Sequence, residues 1–324
     1  MNKKIILGIE TSCDDTSIAV LDNNKVLSCI TMNHSCMFDK YGGIVPEIVS
    51  RLHEKNILEV YKSALKEAKI ESKDIDSIAY TKTPGLSGPL HVGEIFAKSL
   101  SFQLNIKCYP INHIHAHAYS PFISEMPPHK SFLSLIVSGK TTSLFLVKKN
   151  KFIEIAKTLD DALGEVYDKI GKALGLKYPA GALIDKMFDI KKATITININ
   201  QQHKVFSYSG IKSYILNLIE KEKVNNQFDV EVIASSFQKW VIDNLVKKLV
   251  YFKNENDVEL ITIGGGVASN SYLRERLNKV FTSTKIPLST YSCDNAAMIA
   301  YLHFVNEYFN NLDSGIQINK NIEN

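Results

Sequence analysis

Lys4-Ile5-Ile6-Leu7-Gly8-Ile9-Glu10-Thr11-Ser12-Cys13-Asp14-Asp15-Thr16-Ser17-Ile18-Ala19-Val20-Leu21 sets two short apolar runs on either side of a polar turn. Both runs have the length of strands, and the turn gathers three carboxylates and three hydroxyls. Residues 4–9 and 16–21 therefore read as paired strands. Asp22-Asn23-Asn24 makes a second turn, and Val26–Thr31 reads as a third strand. Beyond it Val45, Ile48, Val49, Leu52, Ile57, Val60, Tyr61, Ala64 and Leu65 recur mostly at three- and four-residue spacing, which predicts a long helix. Ser77–Thr81 is a strand that breaks at Thr83-Pro84-Gly85 and re-enters a helix from about His91 to Phe102. Lys107–Ile111 is a further strand, leading into a histidine-rich segment.

The same order then restarts. Phe132–Val137, Ser143–Val147 and Phe152–Ala156 read as three strands, and helices follow over about Ala162–Leu174, Gly210–Glu220 and Glu231–Phe252. Glu259–Ile263 is a strand broken by Gly264-Gly265-Gly266 and followed by a helix near Ser269–Val280. The two halves share order rather than residues. They predict an α/β protein of two domains of like topology facing a central cleft, with residues 1–131 in one domain and 132–292 in the other. Residues 293–324 return to the first domain, and Asn310–Asn324, with five asparagines, reads as a frayed tail. Glycine turns before helices at such a cleft let backbone N–H groups approach a phosphate.

With 324 residues, two domains are also the expectation from length alone. The 38 Lys+Arg exceed the 34 Asp+Glu by four, and only Arg51, Arg274 and Arg276 are arginines. This balance permits a nucleic-acid partner without arguing for one. The N-terminal apolar run stops at Glu10, too short for a membrane span or a signal peptide. Five scattered cysteines with no C-x-x-C pair argue against a disulfide scaffold and for a reducing cytoplasm.

Asn112-His113-Ile114-His115-Ala116-His117 carries three of the nine histidines. On a helix, His113 and His117 lie one turn apart on one face while His115 points away, and two imidazoles at i and i+4 can share a transition-metal ion. A helix with surface or capping histidines is the competing reading, and spacing alone leaves the two balanced. Asp294, ahead of the apolar run Ala296–Phe304, is a good helix cap and also a possible third ligand; taken alone, the cap is the better reading. The turn Glu10–Thr16 can orient Mg²⁺ or a phosphoryl group, though hairpin turns are often this polar. Ser138-Gly139-Lys140-Thr141 resembles the end of a Walker A loop, but Ser134 occupies the position of its first glycine, so that reading fails.

Taken together these segments resemble the TsaD family of tRNA N6-adenosine threonylcarbamoyltransferases in the actin-like ATPase superfamily, with its ribonuclease H-like domains. The matching stretches are Gly8–Thr16, Tyr41–Glu47, Pro84-Gly85-Leu86 with Gly88 and Val92-Gly93, and His113-x-x-x-His117. They continue with Asp160-Asp161-Ala162, Gly164-Glu165 and Asp168-Lys169, then Phe206–Lys212, Gly265–Ala268 with Asn270, and Asp294-Asn295 with Ala297–Ala300. The resemblance implies transfer of a threonylcarbamoyl group from threonylcarbamoyl-adenylate to N6 of adenosine 37, in tRNAs reading codons that begin with A. It implies one divalent metal ion, Fe²⁺ or Zn²⁺, on His113, His117 and Asp294. It implies donor binding by Ile136, Val137, Ser138, Gly139 and Lys140 with Asp168, Gly181, Asp185 and Asn270, and it admits ATP or Mg²⁺ as further ligands. Glu10 and Asp14 are the candidates for a general base. The implied partners are tRNA, a paralogous dimer subunit and an ATPase subunit, all in the cytoplasm with no membrane.

Two loops depart from the family pattern. Ser138-Gly139-Lys140-Thr141-Thr142 stands for Ser-Gly-Gly-His-Thr, and Pro179-Ala180-Gly181-Ala182 for Pro-Gly-Gly-Pro. Lys140 either sets a charge on the donor phosphate or fills part of its pocket. The segment after Asp189 is shortened and an Arg-Pro-Arg tail is missing, while the three metal ligands are untouched. A non-catalytic scaffold paralogue would not be expected to keep those three together. A metalloprotease would need a glutamate where Ile114 follows His113. A sugar or acetate kinase has no matching base loop here. With three arginines, tRNA phosphate contacts fall mostly to lysines, and binding should weaken steeply with salt.

Overall fold

The computed structural model describes residues 3–34, 37–38, 43–199, 202, 204–224 and 228–313. Cys36, Tyr41, Gly42 and residues 314–324 of the expected tail lie outside these. The described residues fall into two compact units: those among 1–130, 149–151 and 293–313 form the first, and those among 131–148 and 152–292 the second.

In the first unit β1 (Ile5–Glu10), β2 (Asp15–Asp22) and β3 (Lys25–Asn33) form an antiparallel meander. After α1 (Pro46–Ala68), β4 (Ser77–Thr83) joins β1 in parallel. After α2 (Ser87–Leu104), β5 (Lys107–Asn112) joins β4 in parallel and leads directly into α3 (His113–Tyr119). The sheet order is β3-β2-β1-β4-β5. Every residue of β1 is buried, which is why its sequence from Ile5 to Ile9 is apolar without alternation. Ile5, Leu7 and Ile9 join a core with Val60, Ala64 and Ala97 from the helices. On α1 the buried stripe runs Val49, His53, Ile57, Val60, Tyr61, Ala64 and Leu65. Helix α2 starts at Ser87, one turn before the expected start near His91. Pro89 falls within its first turn, where a missing N–H removes no helical hydrogen bond.

The second unit repeats the connectivity. Its strands are β6 (Phe132–Val137), β7 (Thr142–Lys148), β8 (Lys151–Lys157), β9 (Leu260–Gly264) and β10 (Thr284–Lys285). Between β8 and β9 come α4 (Leu163–Ala173), α5 (Gly181–Met187), α6 (Ser209–Val224) and α7 (Val230–Asn256). Helix α8 (Ser271–Val280) separates β9 from β10. The order β10-β9-β6-β7-β8 has β6 antiparallel to β7 and parallel to β9, so each sheet centres on its first strand. Both sheets are five-stranded and mixed, and the repeated α/β order expected from the sequence is present in each unit. The seven-residue α5 and two-residue β10 were not read from the sequence, because neither is long enough to establish a period.

The last helix, α9 (Ala296–Asp313), belongs to the first unit and packs on β1, β2 and β4. Ala296, Ala297 and Ala300 are fully buried, and these small side chains let the helix approach the sheet closely. It continues through Asn310–Asp313, which the composition had assigned to the frayed tail. Buried Phe309 anchors this last turn, so a polar surface here does not end the helix. Among the described residues no helix is long and apolar enough to cross a membrane.

Candidate functional site

Helix α3 begins where β5 ends, and Asn112 makes the junction: its Oδ1 accepts the His115 N–H at 3.0 Å, capping the helix. His113 is thus the first helical residue and His117 lies one turn on. Both are buried, with ring centroids 4.7 Å apart and planes at 88°. His115 is only partly buried, and burial pushes its pKa down to about 4.

Taken alone Asp294 suits the cap of the helix that follows it, but the structure gives that role to the next residue. Asn295 Oδ1 accepts the Met298 N–H at 3.0 Å, while the Ala296 N–H donates to Ser17 Oγ at 3.0 Å and ties the helix start to β2. Asp294 is thereby left to face α3. Its Oδ1 lies 3.1 Å from His117 Nε2 and 3.4 Å from His113 Nε2. The three side chains offer donor atoms all within 4.8 Å of one another. Ligands about 2.1 Å from a common ion at tetrahedral or octahedral angles are separated by about 2.9–3.4 Å, so the two imidazole–carboxylate distances suit a shared ion. Two imidazoles and one carboxylate also suit iron or zinc by donor type.

Behind His113 stands Glu10, wholly buried at the end of β1. Glu10 Oε2 lies 2.9 Å from His113 Nδ1 and accepts the Thr81 hydroxyl at 2.5 Å, while Oε1 accepts the Ser12 N–H at 2.5 Å. A carboxylate only accepts, so this network places a proton on His113 Nδ1 and makes Nε2 the nitrogen that faces Asp294. Metal-ligating histidines are commonly oriented by such an outer carboxylate. Burial would lower the His113 pKa, yet Glu10 and Asp294 raise it well above the usual imidazole value. Burial would likewise raise Asp294 and Glu10, but His113 keeps Glu10 lowered and the two histidines hold Asp294 well below the carboxylate range. His117, by contrast, is pushed down by burial.

The turn from Thr11 to Asp15 is clamped from two sides. The Leu86 N–H donates to Ser12 O at 2.8 Å and Thr11 Oγ1 donates to Pro89 O at 3.0 Å. A Cβ on Gly85 would come 2.7 Å from Ser12 O, so the glycine expected to admit a phosphate instead admits this turn. From α1, the buried His53 donates Nε2–H to Cys13 O at 2.9 Å, and its Nδ1 accepts the Thr16 hydroxyl at 2.6 Å. Asp14 is half-buried in the turn, whereas Asp15 is raised to about 7 by burial and by the nearby charges of Asp14 and Asp294.

The residues expected to bind the donor lie in the second unit. Ile136 pairs with Gly264, so the ends of β6 and β9 are adjacent. Gly265 has φ +88°, and a Cβ there would come 2.4 Å from Val137 O, which leaves glycine as the residue that fits. Ser138 O accepts the Gly164 N–H at 3.2 Å, and Ser138 N–H donates to Thr141 O at 2.8 Å. Gly139 and Lys140 are exposed at the tip of this turn, and nothing lies within 4 Å of a Cβ built on Gly139. Asp168 Oδ1 accepts the Ala180 N–H at 2.8 Å, just ahead of Gly181, the first residue of α5. Burial raises the Asp168 pKa. Asp185 accepts the Ser271 N–H and hydroxyl, each at 2.9 Å. Asn270 Oδ1 caps α8 by accepting the Leu273 N–H at 2.8 Å.

Sequence reasoning missed Thr81, His53 and Gln238 as parts of these networks, while Asp15 was noted only as one of the carboxylates of the polar turn. His53 and Gln238 did leave a trace. Each stands at helical spacing inside a buried stripe, His53 between Val49 and Ile57 and Gln238 between Ala234 and Val241, where apolar residues are expected.

A family model described as TsaD, tRNA N6-adenosine threonylcarbamoyltransferase, matches residues 25–301. The protein of that name from Malacoplasma penetrans (strain HF-2) is 53% identical over 301 residues, covering 92% of this chain and 98% of that protein. That of Ureaplasma parvum serovar 3 is 42% identical over 298 residues, covering 91% and 93%. Among solved structures, full-length HypF in a phosphate- and nucleotide-bound form aligns with TM-score 0.61 at 13% identity, over 97% of this chain and 57% of that one. Component A of the Acidaminococcus fermentans (R)-2-hydroxyglutaryl-CoA dehydratase aligns with TM-score 0.55 at 14% identity, over 94% and 98%. At such identities the two structures speak to the actin-like fold alone, whereas the family match and the relatives settle the lineage: the chain belongs to the TsaD family and is a tRNA N6-adenosine threonylcarbamoyltransferase.

Proposed function

We propose that this enzyme transfers the threonylcarbamoyl group of threonylcarbamoyl-adenylate to N6 of adenosine 37 in tRNAs that read codons beginning with A. The observation that carries the reading is the convergence of His113 Nε2, His117 Nε2 and Asp294 Oδ1, with Glu10 behind His113. In the reaction the N6 nitrogen forms a bond to the carbamoyl carbon, the bond from that carbon to the phosphate oxygen breaks, AMP departs, and one N6 proton is released.

His113, His117 and Asp294 would hold one divalent ion, iron or zinc, which supplies Lewis-acid polarisation of the carbamoyl group when bound. Glu10 keeps the His113 proton on Nδ1 and so presents Nε2 as a ligand. Because Glu10 already accepts three hydrogen bonds, it serves to orient His113 and is poorly disposed to take a substrate proton. Ile136–Lys140, Asp168, Gly181, Asp185 and Asn270 bind the adenylate. An adenine amine is a weak nucleophile, so holding donor and acceptor in a reactive orientation supplies much of the rate. The enzyme acts in the cytoplasm on tRNA, with a paralogous dimer subunit and an ATPase subunit as partners.

The test is nucleoside analysis of tRNA incubated with the purified protein, its partner subunits and threonylcarbamoyl-adenylate. Threonylcarbamoyladenosine should appear at position 37 and fail to appear with His113→Ala. Unmodified tRNA with the wild-type protein, or full modification by the variant, refutes the assignment.

A further inference from the structure

Gln238 is fully buried on α7, and its neighbours Ala234, Phe237, Val241 and Ile242 are fully buried as well. Burying an amide among apolar side chains is unfavourable unless its hydrogen bonds are made, and a leucine or methionine would fill the same space without that cost. Both ends of the amide are engaged. Nε2 donates to Asp185 Oδ1 at 2.9 Å, and Oε1 accepts from Asn270 Nδ2 at 2.9 Å and from the Tyr167 hydroxyl at 3.4 Å.

The direction of this chain follows from the backbone. The Leu273 N–H can only donate, so Asn270 must turn its oxygen to it and its amino group to Gln238. Gln238 must then receive with its oxygen and donate with its nitrogen, and the partner left for that nitrogen is a carboxylate. Asp185 on α5 and Asn270 ahead of α8 are thereby set against one another by a side chain rooted in the longest helix.

We infer that Gln238 is a positioning residue of the donor site, fixing Asp185 and Asn270 so that adenylate affinity depends on an amide that does not touch the ligand. The inference rests on the assignment of Asp185 and Asn270 to donor binding. Removing the amide leaves Asn270 Nδ2 and one Asp185 lone pair without this partner, while the links from Ser271 to Asp185 persist.

Calorimetric titration with AMP tests it, on the full chain, with thermal unfolding as the check on folding. Gln238→Leu should weaken AMP binding roughly 10-fold, at about pH 7.5 and about pH 5.5 alike, in keeping with the cost of a buried unpaired polar group. Gln238→Glu distinguishes positioning from packing. The titratable groups that reach this position are Asp185 from α5 and the Tyr167 hydroxyl from α4. At about pH 7.5 two carboxylates would oppose each other, whereas near pH 5.5 a protonated carboxyl can again donate to Asp185 and accept from Asn270. AMP binding by this variant, relative to wild type at the same pH, should therefore be impaired at the higher pH and recover at the lower. Wild-type affinity at both pH values overturns the inference, as does an equal loss at both. If Gln238→Leu fails to fold, the pH pair of Gln238→Glu decides alone. Absence of AMP binding by an otherwise active wild-type enzyme overturns the donor-site assignment, and with it this role for Gln238. Normal wild-type binding with unaffected variants overturns the role alone.

Discussion

Glu10→Gln separates an orienting carboxylate from a general base. In the wild type both carboxylate oxygens accept: Oε1 from the Ser12 N–H, Oε2 from Thr81 and from His113 Nδ1. A glutamine must turn its amino group toward one of those donors. If it keeps its oxygen toward His113, the amino group faces the Ser12 N–H, and a buried donor loses its partner. Such a group costs about 1–3 kcal/mol. Loss of the charge also weakens the hold on the Nδ1 proton. Outer partners of metal-ligating histidines typically change affinity about 10- to 100-fold, equivalent to about 1.4–2.8 kcal/mol. The assay is competitive titration of zinc against a chelator of known affinity, with metal content after gel filtration as a second reading. A folded Glu10→Gln protein that binds zinc within about threefold of wild type, a difference under about 1 kcal/mol, refutes the orienting role. Lost transfer with intact zinc affinity would instead return Glu10 to the role of base.

Direct ligands should matter more. Asp294→Ala and His117→Ala should each lose zinc beyond the roughly 100-fold upper figure for an outer partner and abolish transfer, and stoichiometric metal in either variant contradicts the site. The folded-state pKa of Asp15 is raised to about 7, so the native protein holds a proton that the unfolded chain releases at lower pH. The resulting stability is fully present below about pH 4 and is lost as pH climbs to about 7. Asp15→Asn in metal-stripped protein should thus raise Tm over wild type increasingly across that window and by a constant amount above it; a difference independent of pH rejects the raised pKa. Lys140→Gly should raise KM for the adenylate severalfold and leave kcat little changed, if the exposed ammonium meets the donor phosphate. An unchanged KM removes Lys140 from that contact.

Much of the fold was legible because its signals are local. The polar turn after β1, the turn at Asn23 and the restart at Phe132 mark the two meanders through runs of six to nine residues. The short α5, the early start of α2 and the extent of α9 escaped, since a single turn has no period and asparagines at a helix end resemble a tail. At the site, the pairing of His113 with His117 follows from four-residue spacing once Asn112 caps the helix. His53 and Gln238 were hidden by the opposite effect: a polar residue inside an apolar stripe says that something is buried, and leaves its partner unnamed.

What the chain determines by itself is therefore which residues are neighbours along one element, and through the ordered motifs the family to which it belongs. Tertiary structure decided between Asp294 and Asn295, two good caps side by side. The Ser17 bond to the Ala296 N–H seats the helix on β2 and Asn295 caps it, so Asp294 turns to imidazoles 177 and 181 residues earlier. It also decided that Glu10 faces His113, because β1, β4 and β5 lie side by side in parallel and bring their C-terminal ends together. Periodicity repeats within an element and carries no record of which elements pack against each other; that choice is made by the summed burial of the whole unit.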